Sequence, residues 1–92
     1  MAPAEIQVPS ALRSASQGRV TVPTSGGTVR AALRELADLD RSAASFLYRP
    51  DGKLRRSLAV FVNGIDVRNL EGEETPLEDG DVVSVAPSMA GG

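Results

Sequence analysis

The chain contains no cysteine and no histidine. Without thiols there can be no disulfide and no redox chemistry from the side chains, so a reducing compartment is permitted. Without imidazole or thiolate, a Ser-His-Asp triad, a Cys-His pair and any His-based metal site are all excluded. Aromatic residues are scarce as well: Phe46, Tyr48 and Phe61 make up 3% of the chain, which leaves no stacking platform for single-stranded bases. Neither sign of charge predominates. Ten basic residues against twelve acidic ones give a net charge of −2, too balanced to imply an electrostatic footprint on a phosphate backbone. Long apolar runs are missing, so no segment is long enough to span a bilayer, and "MAPAEIQVP" has no basic stretch followed by an apolar core. These absences point to a cytoplasmic protein with neither nucleic acid nor membrane as a partner.

What remains is 92 residues, 41% of them hydrophobic, enough for one small domain with one modest core. The single lysine, Lys53, lies in "PDGKLRR", which reads as a turn leading into a basic stretch. "TSGGTVRAAL" sets glycines ahead of a helix as phosphate-binding loops do, but it lacks the Gly-Lys-Ser/Thr ending and reads as a turn plus helix start. The acidic clusters "EGEE" (71–74) and "LEDGDV" (77–82) could offer oxygen ligands from Glu78, Asp79 and Asp81, but their spacing does not match a calcium loop. They read as solvated turns. The expectation is no catalytic residue, no metal and no intrinsic cofactor.

Alternation in "AEIQVP" puts Ile6 and Val8 on one side, and "RVTVP" repeats the pattern with Val20 and Val22, each strand closing at a proline. The polar stretch between them reads as a longish hairpin loop. From Thr28, the expected N-cap, Val29, Ala32, Leu33, Leu36 and Leu39 recur at helical spacing, with Arg30, Arg34, Glu35 and Asp38 on the other face. "SAASFLY" suggests a weaker second helix packing Phe46 and Leu47. "SLAVFVN" is the most strand-like run, with Leu58, Val60 and Val62 toward the helix and Ala59 and Phe61 outward; "GIDV" follows as a turn into a short companion strand. "VVSVAP" is the last strand. The predicted class is α+β, a β-grasp of four to five mixed strands around one main helix, with residues 1–87 as the domain and 88–92 as a flexible Gly-Gly tail.

"IQVPSALR", "GKLRRSLAVFVNGIDVR", "LEDGDVVSVAP" and the terminal "AGG" together resemble the ThiS/MoaD family of ubiquitin-like sulfur carriers, in particular those that feed cysteine synthesis. The resemblance implies that an E1-like adenylyltransferase of the MoeB/ThiF/MoeZ type consumes ATP to adenylate the carboxylate of Gly92. A rhodanese-like sulfurtransferase, or sulfide itself, would then convert it to a thiocarboxylate. The recipient would be a sulfur-accepting synthase making cysteine, thiamin, molybdopterin or another sulfur-containing metabolite. The carrier would be a monomer when free. Glycine at 91 and 92 suits a tail that threads a narrow channel, since neither has a Cβ. Five residues past Pro87 extend about 17 Å, enough to leave the body docked outside. Phe61 is a candidate docking anchor flanked by Arg68 and Arg56, the other reading being that it fills a small core under a loop. A protein modifier joined by isopeptide bonds, a small subunit of molybdopterin synthase and a β-grasp binding module that never uses its terminus stay open.

Overall fold

The computed structural model describes residues 3–88. β1 (Ala4–Gln7) alternates apolar and polar residues, whereas β3 (Leu58–Val62) and β5 (Val82–Pro87) are runs rich in β-branched and other apolar residues that favour a strand. Two further strands, β2 (Thr21–Thr24) and the two-residue β4 (Ile65–Asp66), complete one sheet in the order β2-β1-β5-β3-β4. β1 and β5 run parallel, and the other three pairings are antiparallel. This is the expected mixed sheet with the long crossover that a parallel pair requires.

The crossover holds both helices. α1 (Val29–Ala37) starts at Thr28, whose hydroxyl accepts the Ala31 N–H at 3.2 Å. It buries Val29, Ala32, Leu33 and Leu36 completely against the sheet. α2 (Arg41–Leu47) is capped by Asp40, which accepts the Ala43 N–H at 2.9 Å. It is seven residues long, and it buries Ala43 and Leu47 while Phe46 packs at the core margin. Arg34 of α1 lies 4.6 Å from the centroid of the Tyr48 ring, a cation–π contact with the residue that caps the C-terminus of α2. From the strands, Ile6, Val8, Val22, Val60, Val62 and Val83 close the core, each large aliphatic contributing about 1.5–3 kcal/mol of burial.

Three details differ from the sequence reading. Val20 is 56% exposed and lies outside β2, because the chain bends there and only its carbonyl takes part, accepting the Val8 N–H at 2.8 Å. Thr24 takes the second inward position in its place, at 4% exposure. Pro23 sits within β2 rather than ending it; an edge strand can leave that position without an N–H donor. The β1–β2 loop is not merely polar: a 3-10 turn at Ser10–Leu12 drives Leu12 into the core. Buried Ser16 donates from its hydroxyl to the carbonyls of Arg13 and Arg19, which pins the return of the loop.

Candidate functional site

β5 lies between β1 and β3, so the chain leaves the body from an interior strand of the sheet. The ladder continues one residue beyond Pro87: the Ser88 N–H donates to the Ser57 carbonyl at 2.8 Å. Ser88, expected in the tail, is thus joined to the sheet by a backbone hydrogen bond. Gly91 and Gly92, the expected adenylation and thiocarboxylate site, lie outside the described residues.

Both helices pack on one face of the sheet, and the opposite face carries the alternate residues. Phe61 stands there half-buried and outside the core cluster, paired across the strands with Ser84 of β5 and Asp66 of β4. Asp66 binds Arg68 through its main-chain N–H at 2.8 Å and its guanidinium at 2.8 Å. Hydrogen bonds from Arg68 hold the Asp66 carboxyl below its ordinary value, and the same contact raises Arg68. The structure thus links Phe61 to Arg68 only through Asp66, the cross-strand partner of the first and the hydrogen-bond partner of the second. Arg56, in the loop that enters β3, shares a cavity lining with Asp66 and Arg68 but not with Phe61.

The motifs that looked chemical turn out to hold the frame. Ser25 and Gly26 of "TSGGTVRAAL" do present N–H groups to an anion, and that anion is Glu35 of the same chain. Its carboxylate accepts the Gly26 N–H at 2.8 Å, the Ser25 N–H at 3.3 Å and the Thr24 hydroxyl. Burial pushes the Glu35 carboxyl up, but these donors outweigh it and leave it below its ordinary value. Sequence spacing had assigned Glu35 to the solvent face. The available signal was a glycine pair at a helix start with no lysine to share an external phosphate.

The "VNG" and "DGD" motifs meet in space. Asn63 and Gly64 both have positive φ, 51° and 82°, and make the two-residue turn between β3 and β4. The Asn63 amide donates to Asp81 at 3.0 Å, and its carbonyl oxygen accepts the Val82 N–H at 3.0 Å. Asp81 also accepts the Glu78 N–H at 2.8 Å, the leading cause of its lowered pKa, with the Asn63 amide second. "EGEE" forms a 3-10 turn at Gly72–Glu74 whose carboxylates face Arg30 of α1, with Glu74 at 2.8 Å. Among the described residues no acidic or other ligand cluster suited to a metal ion is present.

With this geometry in view, comparison with known proteins is specific. The ThiS family model matches residues 6–92. The sulfur carrier protein CysO of Mycobacterium tuberculosis is 35% identical over 89 residues, spanning 95% of this chain and 96% of the relative. Among solved structures, a chain of the BexX/CysO complex of Amycolatopsis orientalis superposes with a TM-score of 0.78 at 30% identity, covering 97% of this chain and 99% of that one. The small archaeal modifier protein 1 of Methanosarcina acetivorans gives 0.80 at 30% identity, covering 100% and 98%. The fold is the ubiquitin-like β-grasp. No helix among the described residues is long and apolar enough to cross a membrane.

Proposed function

Because the chain belongs to the ThiS family, we propose that it carries sulfur as a thiocarboxylate on Gly92, acting as a protein co-substrate of partner enzymes rather than as a catalyst. One observation carries the reading: the family match runs through the terminal Gly-Gly to residue 92. A carboxylate is a poor electrophile, so loading must begin with activation. The Gly92 carboxylate attacks the α-phosphate of ATP on an E1-like enzyme, and pyrophosphate leaves. Hydrosulfide adds to the acyl carbon, AMP departs and a proton is released, leaving the thiocarboxylate. Where a rhodanese-like persulfide is the donor, its terminal sulfur adds instead, AMP departs, and a thiol reduces the resulting acyl disulfide, becoming a disulfide with the donor's sulfur as the thiocarboxylate leaves. The loaded sulfur is then the nucleophile in a separate synthase, and likeness to CysO favours one that makes cysteine.

The frame supports this use of the end. Four residues beyond Ser88 span at most about 14 Å, so Gly92 can enter a partner's site while the body stays outside. On the outer sheet face Phe61, bordered by the Asp66–Arg68 pair, offers the partner an apolar anchor with a polar edge. Intact-mass measurement after incubation with a family activating enzyme, ATP and sulfide tests the proposal. The expected product exchanges one oxygen for sulfur at the terminus, and neither a chain lacking Gly92 nor one extended beyond it changes mass. An unchanged mass in the intact chain, with the enzyme shown to load its own carrier, would refute it.

Likeness to a small archaeal modifier protein supports a second reading, in which the same acyl adenylate is captured by a lysine amine of a target protein. High-molecular-weight adducts that survive thiol treatment and depend on Gly92 distinguish that outcome from sulfur loading.

A further inference from the structure

β4 covers β3 only at Phe61 and Val62, leaving the Leu58–Val60 edge of β3 with no strand neighbour on that side among the described residues. A cavity of about 430 Å³ opens along this bare edge, with Leu54, Leu58, Val60 and Val67 in its lining and Ser88 among its walls. Arg55, Arg56 and Arg68 are also among its lining residues.

The charges do not cancel. Asp66 and Glu73 face the same space, but Asp66 is taken by Arg68, and against Glu73, which only shares Arg30 at 3.9 Å with Glu74 at 2.8 Å, stand both Arg55 and Arg56. Arg55 is steered by its Nε, which donates to the Ser45 carbonyl at 2.8 Å, so its terminal nitrogens are uncommitted among the described residues. Arg56 is exposed and makes no hydrogen bond or ion pair among the described residues. The result is a local positive surface on a chain whose net charge is −2.

We propose that the Leu58–Val60 edge accepts an extended acidic segment of a partner protein as an added strand. The Leu58 N–H is already given to the Arg55 carbonyl at 3.2 Å, so the Leu58 carbonyl and the Val60 backbone groups, the latter at the nearly buried floor of the cavity, would supply the ladder. In an extended segment, side chains alternate between two faces. Carboxylates on one face then meet Arg55 and Arg56, while apolar side chains on the other reach the cavity floor. A phosphate backbone matches the cations but has nothing for Leu54, Leu58 or Val67, so the occupant is a protein. The surface uses none of the tail chemistry, so it stands or falls apart from sulfur carriage. Its position beside Ser88 would hold a partner at the root of the tail.

The test is an NMR titration of the full-length, isotope-labelled chain with a synthetic peptide of about eight residues alternating glutamate and valine, the length of an ordinary strand. The expected result is perturbation centred on Leu54–Val60 and Val67, with slowed amide exchange at Val60. Affinity should fall about tenfold in Arg56→Glu and fall again as salt rises from about 50 to about 500 mM. Arg41→Glu, a charge change outside the cavity, should leave binding unchanged. Perturbation elsewhere, no binding, or equal affinity in Arg56→Glu overturns the proposal. So does an oligothymidylate of similar length that binds the same amides as tightly.

Discussion

The chain contains the dipeptide Gly-Gly twice, at 26–27 and at 91–92, and the two pairs serve different masters. Gly26 is required by its own fold. A Cβ there would meet the Ala31 Cβ at 2.7 Å, the Ala32 nitrogen at 2.9 Å and the Glu35 carboxylate at 2.9 Å. Its neighbour Gly27 faces open space, with nothing within 4 Å of a Cβ. For Gly91 and Gly92 the proposed requirement comes from outside, from the channel of a partner enzyme. The same two letters therefore encode an internal packing constraint in one place and an external binding constraint in the other. Stability measurements read the first, and transfer assays read the second.

That contrast is sharpest at Gly26. Gly26→Ala should destabilise the fold by about 1–3 kcal/mol, as overpacking against backbone does, and should lower the urea midpoint accordingly. Substitution at Gly92 should leave the same midpoint unmoved while abolishing loading. A stable Gly26→Ala protein, or a destabilised Gly92 variant, would break the comparison.

Next in size is the partner of Gly26. Glu35→Gln replaces charge-assisted hydrogen bonds with weaker ones, a loss of about 1–2 kcal/mol at neutral pH. The pH dependence has a definite sign. Because the folded carboxyl titrates below its ordinary value, its contribution is fully present above the unfolded pKa near 4.3 and disappears as pH falls through the lower folded value. Parallel denaturation curves should therefore converge for wild type and Glu35→Gln below about pH 4. Asp40, Asp66 and Asp81 are lowered as well and add to acid sensitivity in both proteins alike. The smallest effect belongs to Gly27→Ala. With open space around the new methyl group, its melting temperature should match wild type to within about 0.5 kcal/mol of stability.

Much of the fold was legible because each main element repeats its apolar residues with its own period. Val60 and Val62 in β3 and Leu33 and Leu36 in α1 are buried as the alternation and the helical spacing require. Val20 shows where that reasoning ends. It continues the phase of Val22, but periodicity carries no information about a bend that takes the chain out of the sheet. Leu12 and Ser16 were passed over because a polar loop gives no periodic signal, though both are buried. At the candidate site, the terminal glycines could be read directly, since their proposed role needs only the end of a chain. Glu35 could not, because a carboxylate on a helix looks solvated until the turn that feeds it is folded back. The β3 edge was hidden for a similar reason: Arg55, Val67 and Ser88 come together only through the β3–β5 ladder and the turn after β4.

The interior position of β5 also has a mechanical consequence. Tension applied through the terminus runs along a strand bonded to β1 on one side and β3 on the other. Such a pull loads both ladders in shear at once instead of unzipping a margin pair by pair. If the end is drawn into a partner's channel, as the proposed function requires, both ladders resist before the body unfolds.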